Sequence, residues 1–263
     1  MLLIDTHAHL YSKQYSSDRE EMLQRAIAAD VKYIFLPAID SKSHTNLLAL
    51  EAAHPETCFA MMGLHPCSVE ANFEEELTLV KSYLDKRHFC AVGEIGLDYY
   101  HSLDFVPQQK IAFRTQIGWA RDLNVPIDIH ARDSVDDILA ILKEEKTDER
   151  VRGIFHCFTG DARQAQEAIE LGFALGIGGV LTYKNSGMDA IFKDIPLEHL
   201  ILETDAPYLT PVPFRGKRNE SAYIYHIAQR LAEVKNVSLK EIADATSYNA
   251  LKIFGKEALW TGN

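Results

Sequence analysis

The sequence is poor in cysteine and in positive charge, and it has no long apolar run. Cysteine occurs four times in 263 residues. Cys58, Cys67, Cys90 and Cys157 form no C-x-x-C pair. That excludes a zinc ribbon and a thioredoxin-like redox motif, and it fits reduced thiols better than a disulfide framework. Lys and Arg number 27 against 38 Asp and Glu, a net charge of −11. This balance excludes a generally basic nucleic-acid coat and a polybasic membrane binder, while leaving a local basic patch open. No stretch reaches the roughly 18 apolar residues of a membrane span. The opening MLLIDTHAHL lacks a basic n-region, so no secretory signal is expected, and the expectation is a soluble cytoplasmic protein. Low-complexity segments and Pro/Gly/Ser linkers are also missing.

What is present is a repeating alternation. With 47% hydrophobic residues the chain is too apolar for disorder. Short β-branched runs recur at 2–5, 32–39, 58–64, 89–95, 125–131, 151–157, 173–179 and 199–205. Between them lie helical patterns, among them 18–30, 73–86, 108–123, 134–145 and 161–172, with further helices near 219–235 and 238–254. The 161–172 pattern opens on an Asp cap and ends in Gly. Eight βα units with no linker predict an α/β fold, a (β/α)8 TIM barrel with extra C-terminal helices, as one domain over residues 1–263. A doubly wound open sheet is the alternative.

In such a barrel the C-terminal strand ends meet at one face, where catalytic residues sit. Those ends carry His7 and His9, Glu94, His130, His156 and Asp205, with His65 beside them. Converging imidazoles and carboxylates are divalent-metal ligands. Residues two apart on a strand face the same way, so His7 and His9 can reach one ion. The same parity places Asp5 below His7, Asp128 below His130 and Glu203 below Asp205, as acids that orient the residues above them. Each piece alone has an ordinary explanation. A strand histidine is more often hydrogen-bonded core, Glu94 can be a rim carboxylate, and Asp205 can cap a loop. Together, buried acids and histidines on several apolar strands are costly unless paired or metallated. His44, His54, His88, His101 and His226 read as loop or helix-surface residues, and His199 as structural. Cys157 should point away from His156, which argues against a cysteine ligand.

These residues fall in segments that resemble the TatD-family metal-dependent hydrolases of the amidohydrolase-like barrels. The matching segments are DTHAHL (5–10), GLHP (63–66), GEIGLDYY (93–100), IHAR (129–132), HCFTG (156–160), ETDAPYL (203–209) and RGKRNE (215–220), in family order. Glu94 stands where the wider superfamily often has a carboxylated lysine. One departure is Asn219-Glu220-Ser221 in place of the family's NEP, which should alter rigidity more than chemistry.

The resemblance implies two divalent ions. His7, His9, Glu94 and Asp205 would hold one, and His130, His156 and the bridging Glu94 the other. Imidazoles favour Zn, Mn, Co or Ni over Mg, although nucleases of this kind commonly use Mg. Two ions about 4 Å apart suit metal-assisted hydrolysis of a DNA phosphodiester. Asp205 is the candidate general base, and His65 a phosphate donor or general acid. Arg132, Lys184, Arg215, Lys217 and Arg218 map to the rim and can contact phosphates. Tyr99, Tyr100, Phe158 and Tyr208 offer stacking surfaces for unpaired bases. Loop bases and aromatics are also commonly just solvated or packing residues.

The expected function is a 3'-5' deoxyribonuclease on single-stranded or frayed DNA ends. The alternatives are a D-aminoacyl-tRNA deacylase, or another ester or amide hydrolase, and a non-catalytic metal-dependent binding protein. No membrane partner is expected. The sequence is silent on oligomeric state, and a monomer is compatible with it.

Overall fold

The computed structural model describes residues 1–260. The three residues beyond, which the expected domain of 1–263 includes, lie outside the described residues. Eight parallel strands run β1 (Leu3–Asp5), β2 (Val31–Leu36), β3 (Cys58–Ala60), β4 (Val92–Asp98), β5 (Ile127–Arg132), β6 (Gly153–Phe155), β7 (Phe173–Ile177) and β8 (Leu200–Leu202). They form two regular ladders, β1-β2-β3 and β4 through β8 in order. Irregular backbone joins the ladders at both seams. Thr6 N–H donates to Leu202 O at 3.1 Å, and Asp205 N–H to His7 O at 2.9 Å. At the other seam Met62 N–H donates to Ala91 O, and Gly93 N–H to Met62 O, both at 3.2 Å. The ring therefore closes into a (β/α)8 barrel, and the open doubly wound sheet is excluded. Most regular strands are shorter than the apolar runs, while β4 keeps seven residues and is shifted to Val92–Asp98.

The helices are α1 (Arg19–Ala28), α2 (Ser41–Ala53), α3 (Phe73–Leu84), α4 (Val106–Leu123), α5 (Val135–Glu145), α6 (Ala162–Glu170), α7 (Met188–Asp194), α8 (Ile224–Lys235) and α9 (Leu239–Ile253). Local chemistry sets their ends. Asp161 caps α6 by accepting from Gln164 N–H at 2.7 Å, and Gly172 follows with φ 82°. Ser238 and Glu241 form a reciprocal capping box on α9. The helix expected from 219 starts later. Asn219 and Glu220 are held elsewhere, and a 3₁₀ turn over Ser221–Tyr223 precedes α8. His199 likewise lies in a 3₁₀ turn, one residue before β8.

Strand alternation sorts the core. Ile127, Ile129, Phe155, Leu175 and Leu202 face the helices. Ile4, Phe35, Ile154 and Ile201 fill the barrel, where Leu251 and Phe254 close its N-terminal end. Phe254 stacks on Phe35 with ring centroids 4.0 Å apart. The polar site at the opposite end thus rests on an apolar plug.

Gly96 lets β4 and β5 approach. Its φ is 143°, and a Cβ there would overlap the His130 carbonyl. Gly96→Ala is expected to cost about 3 kcal/mol or more by backbone strain and displacement. A denaturant midpoint unchanged from the parent would exclude this.

Candidate metal centre

The strand ends deliver six of the expected residues to one cavity of about 690 Å³, whose lining includes His9, His65, Glu94, His130, His156 and Asp205. His7 lies fully buried beneath them. The tautomers follow from what each ring's outward nitrogen touches. His7 Nδ1 donates to Asp128 Oδ2 at 2.8 Å. His9 Nδ1 donates to Tyr11 Oη at 3.0 Å, whose own hydroxyl donates to Pro37 O at 2.6 Å. His156 Nδ1 donates to Glu203 Oε1 at 3.2 Å. His130 uses its Nε2, which donates to Asp98 Oδ2 at 2.9 Å. Each imidazole therefore turns its remaining nitrogen inward.

The inward nitrogens meet as lone pairs. His7 Nε2 and His9 Nε2 lie 3.2 Å apart, and His156 Nε2 and His130 Nδ1 lie 3.4 Å apart. Two neutral imidazoles cannot hydrogen-bond through two lone pairs, so each pair requires a proton or a cation between its members. The spacing suits the latter, since tetrahedral ligands about 2.0–2.1 Å from one ion stand about 3.3 Å apart. Glu94 divides between the pairs. Its Oε2 lies 3.3 and 3.5 Å from His7 and His9 Nε2, and its Oε1 lies 2.8 and 3.0 Å from His130 Nδ1 and His156 Nε2. Asp205 Oδ1 joins the first group at 3.8 and 3.5 Å from the His7 and His9 Nε2 atoms. Glu94 Oε2 is buried without a hydrogen-bond partner. An orphaned carboxylate oxygen facing two lone pairs fits a divalent cation, so the donor set passes as a metal centre.

Electrostatics agree. Burial and the His156 charge oppose protonation of His7, yet Asp128 and Glu94 outweigh them and raise it well above 6.5. His156 is likewise raised against burial, by Glu94 and Glu203. Burial would lift Glu94, but His65, His156 and His7 hold it well below its ordinary range. The carboxylates thus gather positive charge, as protons when no cation is bound. Cations must displace those protons. Affinity for Zn²⁺ or Mn²⁺ should therefore weaken as pH falls through the raised imidazole values, above 6.5, and strengthen with rising pH. Calorimetric titrations between neutral and mildly acid buffers, showing proton release on binding, check this; a flat affinity would contradict it.

His65 differs from the other histidines. Its Nδ1 accepts from Cys67 N–H at 3.0 Å, so its Nε2 carries the hydrogen and points at Glu94 Oε1, 3.2 Å away. Burial pushes its pKa down despite Glu94. A neutral His65 offers the cavity an N–H donor instead of a lone pair or an acidic proton.

Three expected supports are reassigned. Asp128 holds His7 across the barrel, not His130 above it, and Glu203 holds His156 and Cys157 N–H, not Asp205. Same-face neighbours on a strand stand about 6.6 Å apart, beyond hydrogen-bond reach, so each support comes from another strand. Asp5 supports no ligand. The chain bends at Thr6, and Asp5 accepts from Thr204 N–H at 2.9 Å and its hydroxyl at 2.6 Å, closing β1 onto β8. Asp98 and Tyr11 hold His130 and His9, two supports that strand parity below the ligands does not reach. Tyr11 follows the alternation of His7 and His9, a usable signal.

The rim is thinner than expected. Arg132 lines the cavity with its guanidinium 3.9 Å over the Tyr100 ring, and Tyr100 is 61% exposed. Tyr208 also lines the mouth, 6.1 Å from the His9 ring. Lys184 and Lys217 are exposed, and Arg215 stacks on Tyr183 at 3.9 Å. Arg218 is spent elsewhere, since its guanidinium donates to both Asp18 oxygens at 2.7 Å and to Gln14 O at 2.6 Å. Tyr99 donates to Asp137 at 2.6 Å, and Phe158 is buried against Phe155 and Phe192, so neither stacks on a base. Cys157 does line the cavity, because its φ of 43° breaks the alternation that would have turned it away. His44 is buried against Tyr83 instead of lying on the surface.

Asn219 and Glu220 build the β8 loop. Asn219 Nδ2 donates to Thr204 O at 2.8 Å and Tyr208 O at 2.6 Å, and Glu220 pairs with Arg25. They hold the backbone on either side of Asp205. Arg218→Ala is accordingly expected to lower the melting temperature without changing the salt dependence of substrate binding. Lys217→Ala should flatten the log–log salt slope by about one and leave stability unchanged. The reverse pattern in melting and binding assays would return Arg218 to the substrate.

The chain is similar to known proteins along nearly its whole length. The family model described as TatD related DNase matches residues 4–255. An uncharacterized metal-dependent hydrolase, YabD of Bacillus subtilis, is 41% identical, over 96% of this chain and 99% of that protein. The 3'-5' ssDNA/RNA exonuclease TatD of Pantoea ananatis is 30% identical, over 96% and 99%. The crystal structure of YJJV, a TatD homolog from Escherichia coli, superimposes with a TM-score of 0.91 at 32% identity, over 96% and 98%.

Proposed function

The chain belongs to the TatD related DNase family and is a metal-dependent hydrolase, and from that premise we propose that it is a 3'-5' deoxyribonuclease acting on single-stranded or frayed DNA ends with two divalent cations. The observation that carries this reading is the pair of imidazole lone-pair groups, each facing its own oxygen of Glu94. In this reading His7, His9, Glu94 and Asp205 hold one cation, and His130, His156 and Glu94 the other. Bound cations would supply Lewis acidity, acidifying water and screening charge on the phosphoryl oxygens. Zn, Mn, Co, Ni and Mg all remain compatible with the imidazole and carboxylate donors.

The chain's own groups do the rest. Asp205 opens onto the cavity and takes the proton of the attacking water. Burial would lift its carboxyl, but His9, His156 and His7 keep it below its ordinary range, so it is ionised as a base must be. Neutral His65 donates its Nε2–H to a phosphoryl oxygen. Arg132 contacts the next phosphate, while Tyr100 and Tyr208 flank the mouth and stack unpaired bases. Lys184, Arg215 and Lys217 attract the strand from the exposed rim. The described residues 1–260 form one barrel domain in this reading. Among the described residues no helix is long and apolar enough to cross a membrane, and all four cysteines are free thiols, which supports a cytoplasmic setting.

The test is cleavage of 5'-labelled single-stranded DNA beside D-aminoacyl-tRNA, with metal-stripped protein as control. Stepwise shortening from the 3' end, dependent on added cation, is expected. Deacylation without DNA cleavage would transfer the reading to the ester-hydrolase alternative. Activity on neither would sink both substrate readings.

A further inference from the structure

A second donor cluster stands beside the imidazole centre. Cys67 follows His65 in a 3₁₀ turn, Asp98 ends β4, and His101 lies in the loop after it. His101 Nδ1 is 3.5 Å from Cys67 Sγ and 2.9 Å from Asp98 Oδ2. One atom from each of the three residues lies within 4.8 Å of the others. The geometry is built from below. Asp98 Oδ1 accepts from Tyr100 N–H at 3.0 Å and His101 N–H at 2.8 Å, which fixes the loop and aims the His101 ring. Oδ2 stays turned towards His101 and His130.

The surroundings select a cation. The three residues line a cavity of about 240 Å³ that also takes in Glu70 and Asp104 and has no Lys or Arg in its lining. Cys67 and His101 also line the larger cavity, so the two spaces share a wall. Arg132, on the wall of the larger cavity, rests on Tyr100. Thiolate, imidazole and carboxylate together make a borderline-soft donor set, suited to Zn²⁺ or Co²⁺ and unsuited to Mg²⁺ or Ca²⁺. Donors 3.5 Å apart match tetrahedral ligands of one such ion, and three protein ligands leave a position open to solvent.

We infer that Cys67, Asp98 and His101 form an additional thiophilic cation site, distinct from the imidazole centre and sharing its wall. The site does not depend on how many cations that centre holds. It touches the centre at two points, because Asp98 also holds His130 and the Cys67 N–H is held by His65. A cation there places positive charge on an otherwise acidic wall of the mouth. It also competes with His130 for the Asp98 carboxylate.

The experiment titrates metal-stripped full-length protein with Co²⁺ and follows the thiolate-to-cobalt charge-transfer band, which needs a cysteine ligand. The band should appear in the parent, vanish in Cys67→Ser and weaken strongly in His101→Ala. It should persist in Cys157→Ser, which controls for the other cysteine lining the larger cavity, and in Glu94→Ala, which damages only the imidazole centre. Cys67 is exposed, so Cys67→Ser should fold, with an unchanged melting temperature. Zn²⁺ should also slow alkylation of Cys67, on the order of tenfold. A missing band, or one that survives Cys67→Ser, overturns the site. A band lost in Glu94→Ala or Cys157→Ser assigns the thiolate to the imidazole centre and overturns it equally.

Discussion

Glu94→Ala is expected to abolish turnover, by about 10³-fold or more, and, on the proposed two-cation reading, to reduce bound cation towards one ion or none. Glu94 has an oxygen towards each imidazole pair, 3.3 Å from His7 Nε2 on one side and 2.8 Å from His130 Nδ1 on the other. Removing it takes one anionic ligand from both groups at once and leaves four imidazoles in a buried space without the negative charge that balances them. The separate His9→Ala change should be milder in metal content, since it strips a ligand from one group only. Glu94→Gln should fail to rescue. An amide presents an oxygen to one pair and an N–H to the other, so one side gains a donor where a cation needs an acceptor. Metal analysis by mass spectrometry, with activity measured on the same samples, decides this. Two ions retained in Glu94→Ala would break the bridging role.

The convergence of the candidate ligands was legible in the sequence, and the contacts beneath them less so. His7 and His9 could be paired because strand parity is a local rule, and Glu94, His130, His156 and Asp205 because each ends an apolar run. Which acid supports which histidine was not legible. That depends on strand tilt and on neighbours across the barrel, so Asp128 serves His7, 121 residues away. Parity also fails where the backbone leaves the strand. Thr6 turns Asp5 towards Thr204, and the left-handed φ of 43° turns Cys157 into the cavity. Surface loops are the least legible. His101 reads as an ordinary loop histidine until the Asp98 carboxylate is seen to hold its backbone and its ring. Arg218 reads as a phosphate ligand until Asp18 is found beside it, because only the fold brings the start of α1 to the β8 loop.

Five of the acids behind the net charge of −11 have a specific place. Glu94, Asp98, Asp128, Glu203 and Asp205 are all buried around the imidazoles. A polyanion approaching the mouth meets those charges only after cations have offset them. Broad coating of DNA stays excluded, and capture of one phosphate chain at one centre does not.

Asp205→Asn should separate ligation from proton transfer. The amide keeps an oxygen able to face the His7 and His9 nitrogens, now 3.8 and 3.5 Å from Asp205 Oδ1, so most of the bound cation should remain. What is lost is the proposed base. A positioned general base contributes about 10²–10⁴-fold, so kcat should fall by that factor while substrate affinity changes little. The pH profile adds a sharper criterion. Asp205 is held below its ordinary range by His9, His156 and His7, and its ionised form is lost only as pH falls through that low value. His7 and His156 are raised above 6.5, so protons reclaim those imidazoles first as pH falls. The acid limb of the wild-type rate therefore reports loss of cation and not protonation of Asp205, and raising the cation concentration should shift it to lower pH. The Asp205→Asn profile should show the same limb at reduced height. A limb that disappears in Asp205→Asn, or that ignores cation concentration in the parent, would place the rate-controlling ionisation on Asp205 itself.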